Sequence, residues 1–184
     1  MNLTRSYLTL ITLSFFLLPS VSHAAACASQ AGGGNWSDTT KWNCGHAPTT
    51  ADTVTITSGN NIILDQHATT TSVTINNSAT LSEDNSGQIL AISGGWTNNG
   101  TFTALQSTVK FTETQTFTGN TTFNNLTIDT NSTSAMDITL TGYTATTTGV
   151  LTIDNSSTGL MSLVGGTLAA QGNIVWDATT ARGT

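Results

Sequence analysis

Charged side chains are scarce in this 184-residue chain. Lys and Arg together number 4 and Asp and Glu number 10, so that charged residues make up 8% of the total. Helical bundles and coiled coils need many Glu, Lys, Arg and Ala residues on their helix surfaces, and this composition excludes both. With four basic residues and a net charge of −6, the chain also lacks the basic surface that neutralises nucleic-acid phosphates, and we expect no nucleic-acid partner.

Long apolar runs are missing after the first 26 residues. Arg5 precedes an apolar run at 8–18, which is too short to span the roughly 30 Å core of a bilayer as a helix. Small residues follow, and the pattern is that of a secretory signal peptide over residues 1–26, with cleavage after Ala24 or after Ala26. We therefore expect an exported protein, extracellular or on the cell surface, with no transmembrane segment in the mature chain.

Cysteine is also rare, since Cys27 and Cys44 are the only two. In an exported chain an even number of cysteines indicates a disulfide, and closing a loop of about 17 residues would stabilise the fold by about 3 kcal/mol. Two alternatives use the same residues. Cys27, which follows three alanines, would be acylated in a lipoprotein, and Cys27, Cys44 and His46 would supply three ligands of a metal site.

Threonine, in contrast, accounts for 40 of the 184 residues. Threonine is favoured in β-strands, and many short segments alternate apolar residues with Thr, which is the period of a half-buried strand. Disorder is excluded because the hydrophobic residues, 37% of the chain, recur regularly enough to pack. Strands are predicted at 54–56, 62–64, 73–75, 89–92, 109–111, 126–128, 138–140 and 151–153.

The predicted strands repeat along the chain. Leu-Thr-Ile-Asp at 126–129 recurs 25 residues later at 151–154, and Val-Thr-Ile at 54–56 recurs 19 residues later at 73–75. Uneven repeats of about 20 residues are typical of solenoids, in which like residues stack on like from coil to coil. The sequence therefore predicts an all-β, right-handed parallel β-helix. A β-sandwich, which also uses short strands separated by turns, is the alternative.

The mature chain divides into two parts in this prediction. Residues 27–52 form an N-terminal cap that contains the disulfide, and residues 53–184 form the solenoid coils. A solenoid needs a cap at each end, because its last coil exposes apolar core and unpaired strand edges. No capping pattern follows the strand predicted at 174–176, so we expect the chain to continue into a longer protein or to pack end-on against a partner.

Several segments carry a resemblance to known proteins. They lie at 36–42, 45–48, 52–56 and 63–65, beginning with Trp-Ser-Asp-Thr-Thr-Lys-Trp, and at 95–102 and 122–128. The first four segments resemble the opening of the G8-type β-helical modules found in bacterial surface proteins and some animal extracellular proteins. The last two are similar to the filler repeats of large secreted, adhesin-like bacterial proteins. The resemblance implies the N-terminal portion of a cell-surface or extracellular protein, and it brings no catalytic residue with it.

Two tryptophans, Trp36 and Trp42, lie six residues apart in the predicted cap. Bulky aromatic residues at the open end of a solenoid are suited to cover the apolar core of its first coil. The alternative is a glycan-contact site, because the apolar face of a sugar stacks on an indole ring. Solvent-exposed and coplanar rings would distinguish the glycan site from the cap.

One pair of acidic residues would meet in a solenoid. Asp129 and Asp154 occupy equivalent repeat positions, about 5 Å apart on neighbouring coils, and glycoside hydrolysis requires two carboxylates. Both residues end a Leu-Thr-Ile strand, where Asp commonly accepts turn hydrogen bonds. Neither a nucleophile elbow nor a nucleotide-binding motif is present. We therefore assign no catalytic residue, no metal and no cofactor, and we keep a carbohydrate-active enzyme as an alternative.

The sequence thus predicts a secreted or cell-surface module with a structural or adhesive role. Its Thr- and Asn-rich faces would present many weak hydrogen-bonding groups to glycans or to other surface proteins. A carbohydrate-binding module that uses Trp36 and Trp42 is the second binding function that the residues allow.

Overall fold

The computed structural model describes residues 24–129, 136–154 and 161–177. The predicted signal peptide, except for its last three alanines, lies outside the described residues. Residues 178–184 lie outside them as well. The described chain contains a 3₁₀ helix at Thr39–Lys41 and twenty short strands. The strands are β1 (Ala26–Ala28), β2 (Gly34–Asn35), β3 (Thr53–Ile56), β4 (Asn61–Leu64), β5 (Ala68–Thr70), β6 (Ser72–Ile75), β7 (Thr80–Glu83), β8 (Ile89–Ile92), β9 (Trp96–Asn98), β10 (Thr101–Thr103), β11 (Thr108–Phe111), β12 (Gln115–Thr118), β13 (Thr121–Phe123), β14 (Asn125–Asp129), β15 (Met136–Thr139), β16 (Thr144–Thr147), β17 (Leu151–Asp154), β18 (Met161–Val164), β19 (Thr167–Ala170) and β20 (Ile174–Asp177).

From β3 onward, paired strands lie three places apart along the chain, so three strands make one coil, whereas β1 and β2 pair with β3 and β4. The first face is a seven-stranded sheet in the order β1-β3-β6-β9-β12-β15-β18, and the third face is a six-stranded sheet in the order β20-β17-β14-β11-β8-β5. The second face consists of the sheets β10-β7-β4-β2 and β13-β16-β19. Every pairing between these strands is parallel. Six coils, β3 to β20, therefore stack above the pair β1 and β2, and the predicted parallel β-solenoid is confirmed. A β-sandwich is excluded, because its sheets are antiparallel.

The repeats seen in the sequence lie directly on one another in the stack. Val54 pairs with Val73 and Ile56 with Ile75 between β3 and β6. The Leu-Thr-Ile-Asp segments of β14 and β17 pair residue for residue. In these repeats, each coil places a like side chain over the one before it, as is typical of a solenoid.

The core is a continuous column of apolar side chains inside the coils. Strand residues alternate between buried and partly exposed positions, as the period of two demands. Ile128 and Ile153 point inward with 1% and 7% exposure, whereas Thr127 and Thr152 lie half-buried on the outside. Aromatic rings fill the middle coils, where Trp96 contacts the ring of Phe123 at a centroid distance of 5.4 Å. Among the described residues, no helix has both the length and the apolar character to cross a membrane.

Candidate functional site

The predicted disulfide lies in the N-terminal cap. Cys27 sits on β1 opposite Val54, and Cys44 lies in the turn that follows the 3₁₀ helix. The two sulfur atoms are bonded at 2.06 Å, with the Cα atoms 5.1 Å apart. The disulfide links the edge strand of the first face to the loop that covers it, and the prediction is confirmed.

The disulfide leaves no free thiol for either alternative considered for these cysteines, the metal site and the acylation of Cys27. Ligand atoms of Cys27, Cys44 and His46 lie within 4.8 Å of one another, but thiolates, not disulfide sulfurs, are the metal ligands. Likewise, Cys27 in a disulfide has no thiol to carry an acyl chain. In this state of the protein, Cys27 and Cys44 form a covalent bond, and the His46 imidazole lies close to it.

A buried carboxylate, that of Asp52, joins the cap to the first coil. The Asp52 side chain is 0% exposed. Its Oδ2 atom accepts hydrogen bonds from the amide and the hydroxyl of Thr49, both at 2.8 Å. Its Oδ1 atom accepts one from the Ala25 amide at 2.8 Å. Sequence reasoning did not find this role, although an Asp three residues after a Thr is a spacing at which such side chains bond to nearby backbone groups.

The environment of Asp52 keeps its carboxyl ionised. Burial by itself would raise the pKa of Asp52, but the hydrogen bonds from Thr49 and Ala25 and the nearby His46 imidazole outweigh burial, and the pKa is lowered. The Nδ1 atom of His46 lies 3.7 Å from Asp52 Oδ2. The same ring nitrogen lies 3.0 Å from the Ala47 carbonyl oxygen.

Trp36 and Trp42 pack against each other inside the cap. Their side chains are 0% and 1% exposed. The rings meet edge to face, with centroids 5.1 Å apart and an interplanar angle of 66°, and the Trp42 indole donates to the Trp36 carbonyl oxygen at 2.9 Å. A sugar-stacking platform requires exposed, coplanar rings, and these rings are neither. Both tryptophans belong to the hydrophobic core, as expected of residues that cover the first coil.

The acidic pair of the sequence analysis does meet between neighbouring coils. Asp129 of β14 pairs with Asp154 of β17. Asp129 is 4% exposed, and its Oδ2 atom lies 2.5 Å from Lys110 Nζ on the preceding coil. This ion pair gives the Asp129 carboxylate a partner that holds two coils together.

A second buried carboxylate, Glu83, holds a corner of the solenoid. Glu83 is 3% exposed. Its two oxygens accept hydrogen bonds from the Gln88 amide at 2.9 Å and the Gln106 amide at 3.0 Å. Both oxygens therefore accept hydrogen bonds from loop amides of the protein, an arrangement that suits a structural role.

The outer side of the seven-stranded sheet carries an array of hydroxyl groups, which we call the threonine face. Its residues are Thr53, Thr55, Ser72, Thr74, Thr97, Thr116, Thr118 and Thr139. Thr55, Thr74, Thr97 and Thr118 form one unbroken column over four strands. The others form a parallel second column that includes the pairs Thr53–Ser72 and Thr116–Thr139. All eight side chains are exposed or half-buried.

The hydroxyls of the threonine face are available to a ligand. Neighbouring strands lie about 4.8 Å apart and alternate residues of a strand about 6.7 Å apart, so the face is a regular grid. Within the described residues, none of the eight hydroxyl groups makes a hydrogen bond to the protein, in contrast to Thr70 and Thr121, whose hydroxyls bond to neighbouring groups. Asp137 is the one charged residue on the described strands of this sheet.

The last described coil exposes side chains that occupy core positions. Ile174 and Trp176 of β20 stack on Leu151 and Ile153, yet they are 64% and 57% exposed. Leu163 of β18 is 44% exposed in the same way. These side chains form an apolar surface at the end of the described coils.

Comparisons with protein-family models, curated proteins and solved structures find no match to this chain. The resemblance to G8-type modules and adhesin-like repeats therefore stays a prediction from the residues.

Proposed function

We propose that the protein is a secreted or cell-surface structural and adhesive module that binds hydroxyl-rich glycan surfaces through its threonine face. The observation that carries this proposal is the grid of unbonded hydroxyls on a sheet with one charged residue. A neutral grid of donors and acceptors is complementary to polysaccharides, whose surfaces are also neutral and rich in hydroxyls. The disulfide supports an oxidising, extracytoplasmic location.

The expected binding is weak for one copy and strong for many. Each hydrogen bond contributes about 1 kcal/mol net, so a single threonine face would hold a glycan loosely. Many copies displayed on one surface raise the overall affinity without any new contact, by effective concentration. A rigid solenoid suits this role, because it keeps its hydroxyls at fixed spacing.

A pair of isosteric variants tests the proposal. Thr74→Val combined with Thr97→Val removes two paired hydroxyls from the threonine face and keeps the shape of the side chains. Thr127→Val combined with Thr152→Val does the same on the six-stranded sheet, where these residues are also paired and half-buried. Beads coated with each protein would be measured for retention on a panel of insoluble polysaccharides and on a glycan array.

We expect wild-type beads and the Thr127/Thr152 control to be retained equally and the Thr74/Thr97 variant several-fold less. Equal retention of both variants would contradict a role for the threonine face. Absence of retention for wild-type beads on every glycan would contradict glycan adhesion itself.

We propose no catalytic activity for the module. The pair that a glycosidase would use includes Asp129, whose carboxylate is ion-paired with Lys110, and Glu83 is occupied by loop amides. A shallow depression beside β5 and β8 has a mostly apolar lining that includes His67 and Ile89, and no carboxylate faces it from its lining. Turnover of any polysaccharide, abolished by Asp129→Asn, would contradict this part of the proposal.

The exposed end of the last described coil supports a second structural role, end-on packing. Ile174 and Trp176 are where a further coil or a partner would continue the core. We propose that this end is covered in the assembled protein, either by more of the same solenoid or by another surface protein.

A further inference from the structure

Two peptide bonds satisfy the rules for removing the predicted signal peptide. Cleavage after Ala24 has Ser22 three positions before the new end, and cleavage after Ala26 has Ala24 there. Signal peptidases require small residues at the first and third positions before the cleaved bond. Both bonds meet this requirement, so the sequence does not choose between them.

The fold makes use of Ala25. Its amide donates to Asp52 Oδ1 at 2.8 Å, and its carbonyl oxygen accepts from the Thr53 amide at 2.9 Å. The Ala25 methyl group packs against the hydrophobic core, and the next residue, Ala26, pairs with Thr53 in the first sheet. Ala24, in contrast, is exposed.

The two cleavages have different consequences for these contacts. Cleavage after Ala26 removes Ala25 and Ala26, and it takes away the donor that satisfies the Oδ1 atom of Asp52. A buried acceptor without its donor destabilises the folded state. Cleavage after Ala24 keeps every one of these contacts and changes only the chemical nature of the Ala25 nitrogen.

We propose that the mature protein begins at Ala25, and that its new α-ammonium group forms an ion pair with the buried carboxylate of Asp52. Water hydrolyses the Ala24–Ala25 peptide bond, so that the leader leaves with a carboxylate on Ala24 and the mature chain keeps the amine. The inference rests on the proposed export of the protein, since a chain that is never exported is never processed.

Processing therefore strengthens a contact that the unprocessed chain already makes. Before cleavage the nitrogen of Ala25 is a neutral amide, and after cleavage it is a charged donor at the same place. Charge-assisted hydrogen bonds are shorter and stronger than neutral ones. Thr49 holds the other carboxylate oxygen, so the carboxylate is already oriented toward the new amine, and the first sheet gains a charged link at its outer edge.

The first test identifies the end of the mature chain. The full chain is expressed in a secreting host, and the exported protein is analysed by intact mass and N-terminal peptide sequencing without reductant. We expect a single species that begins at Ala25 and whose mass is lower by two hydrogen atoms than that of the reduced chain, because of the disulfide. A species that begins at Cys27, with or without a lipid, overturns the inference but leaves export standing. A chain that stays in the cell with residues 1–24 attached overturns export as well.

The second test measures the ion pair itself. The pKa of the Ala25 α-amine, ordinarily about 7.7 to 8.0, would be determined by NMR or by the pH dependence of its acylation. We expect it to be raised by at least one unit in the wild type, and equally in Asp38→Asn, which changes a half-buried acid of the cap that does not contact Ala25. In Asp52→Asn it should return to the ordinary range. An ordinary pKa in the wild-type protein overturns the ion pair, whether or not Asp52→Asn folds.

Discussion

At the scale of single residues, two buried acids, Asp52 and Glu83, hold segments outside the strands by accepting hydrogen bonds from backbone amides. Asp52 accepts hydrogen bonds from a residue 27 positions earlier and from its own turn. Glu83 accepts the amides of two successive corners of the solenoid. Buried backbone amides need acceptors, and a carboxylate with two oxygens serves two segments at once.

Replacing Asp52 with Asn should weaken the cap. An amide has one acceptor oxygen and cannot serve both Thr49 and Ala25, so we expect the free energy of unfolding at pH 7 to fall by about 1–3 kcal/mol. Urea denaturation would measure it. Asp137→Asn, which changes an exposed acid on β15, is the control and should change stability by less than about 0.5 kcal/mol.

The same carboxylate should make the stability depend on pH. Because the pKa of Asp52 is lower in the folded than in the unfolded chain, its contribution is complete above the unfolded value of about 3.9 and is lost as the pH falls through the folded value. We expect the difference between wild type and Asp52→Asn to shrink between pH 5 and pH 2. A difference that stays constant over this range would show that ionisation of Asp52 does not contribute.

At the scale of the strand, side chains that form the core alternate with side chains that meet the solvent. Inward side chains such as Ile128 form the core, and outward side chains such as Thr127 meet the solvent. Because side chains alternate with a period of two residues, a substitution at one position of a strand and the same substitution at the next position should change the free energy of unfolding by different amounts.

A pair of neighbouring substitutions in β14 tests this division. Ile128→Asp would place an unpaired charge in the core, and we expect a loss of about 4 kcal/mol or more. Thr127→Asp should cost less than about 1 kcal/mol, because Thr127 is half-buried on the outside and stacks on Lys110. Denaturant titration would compare them. Equal losses would mean that the inside and the outside of β14 are wrongly assigned.

The corners between strands are equally specific. Gly119, between β12 and β13, has a φ of +86°, and a Cβ there would overlap the carbonyl group of Asn98 on the coil below. Gly142 has a φ of +84°, but a Cβ there would meet no atom within 4 Å. Gly142→Ala should therefore cost only the left-handed backbone, about 1 kcal/mol, and Gly119→Ala more than twice as much. Thermal unfolding of the two variants would show whether contact between coils, beyond the φ value, sets the cost.

At the scale of the whole molecule, the two ends of the described solenoid differ. The N-terminal end is covered by the cap, in which Trp36 and Trp42 are buried beside the disulfide. At the other end, Ile174 and Trp176 occupy core positions on β20 and remain more than half exposed. Exposed apolar side chains beside unpaired strand edges favour association.

This asymmetry predicts which residues control self-association. Trp176→Lys should reduce concentration-dependent association of the chain, measured by sedimentation velocity or light scattering, because it puts a charge on the apolar end. Val175→Lys changes the neighbouring residue, which is 44% exposed on the outer side of the strand, and should have a much smaller effect. Equal effects of the two would indicate that the outer face, not the end of the core, drives association.

The alternation of Thr with Val, Ile and Leu by itself determined the strands, and the repeats determined that they stack in parallel. Both patterns are local in the chain: a period of two selects a half-buried strand, and a recurring Leu-Thr-Ile-Asp segment finds its equivalent one coil away. The disulfide could be predicted for a similar reason, since Cys27 and Cys44 are the only cysteines and had no other cysteine to pair with.

Only the tertiary structure decided what the cap and the acids do. Whether Trp36 and Trp42 would form an exposed platform or a buried pair depended on how the loop between them folds over the first coil. That Asp52 meets Ala25, and that Asp129 meets Lys110, depended on the register between segments 19 or more residues apart. Composition and short-range spacing carry no information on such distant contacts, because a carboxylate in a polar turn looks the same in sequence whether it faces water or a backbone amide of another coil.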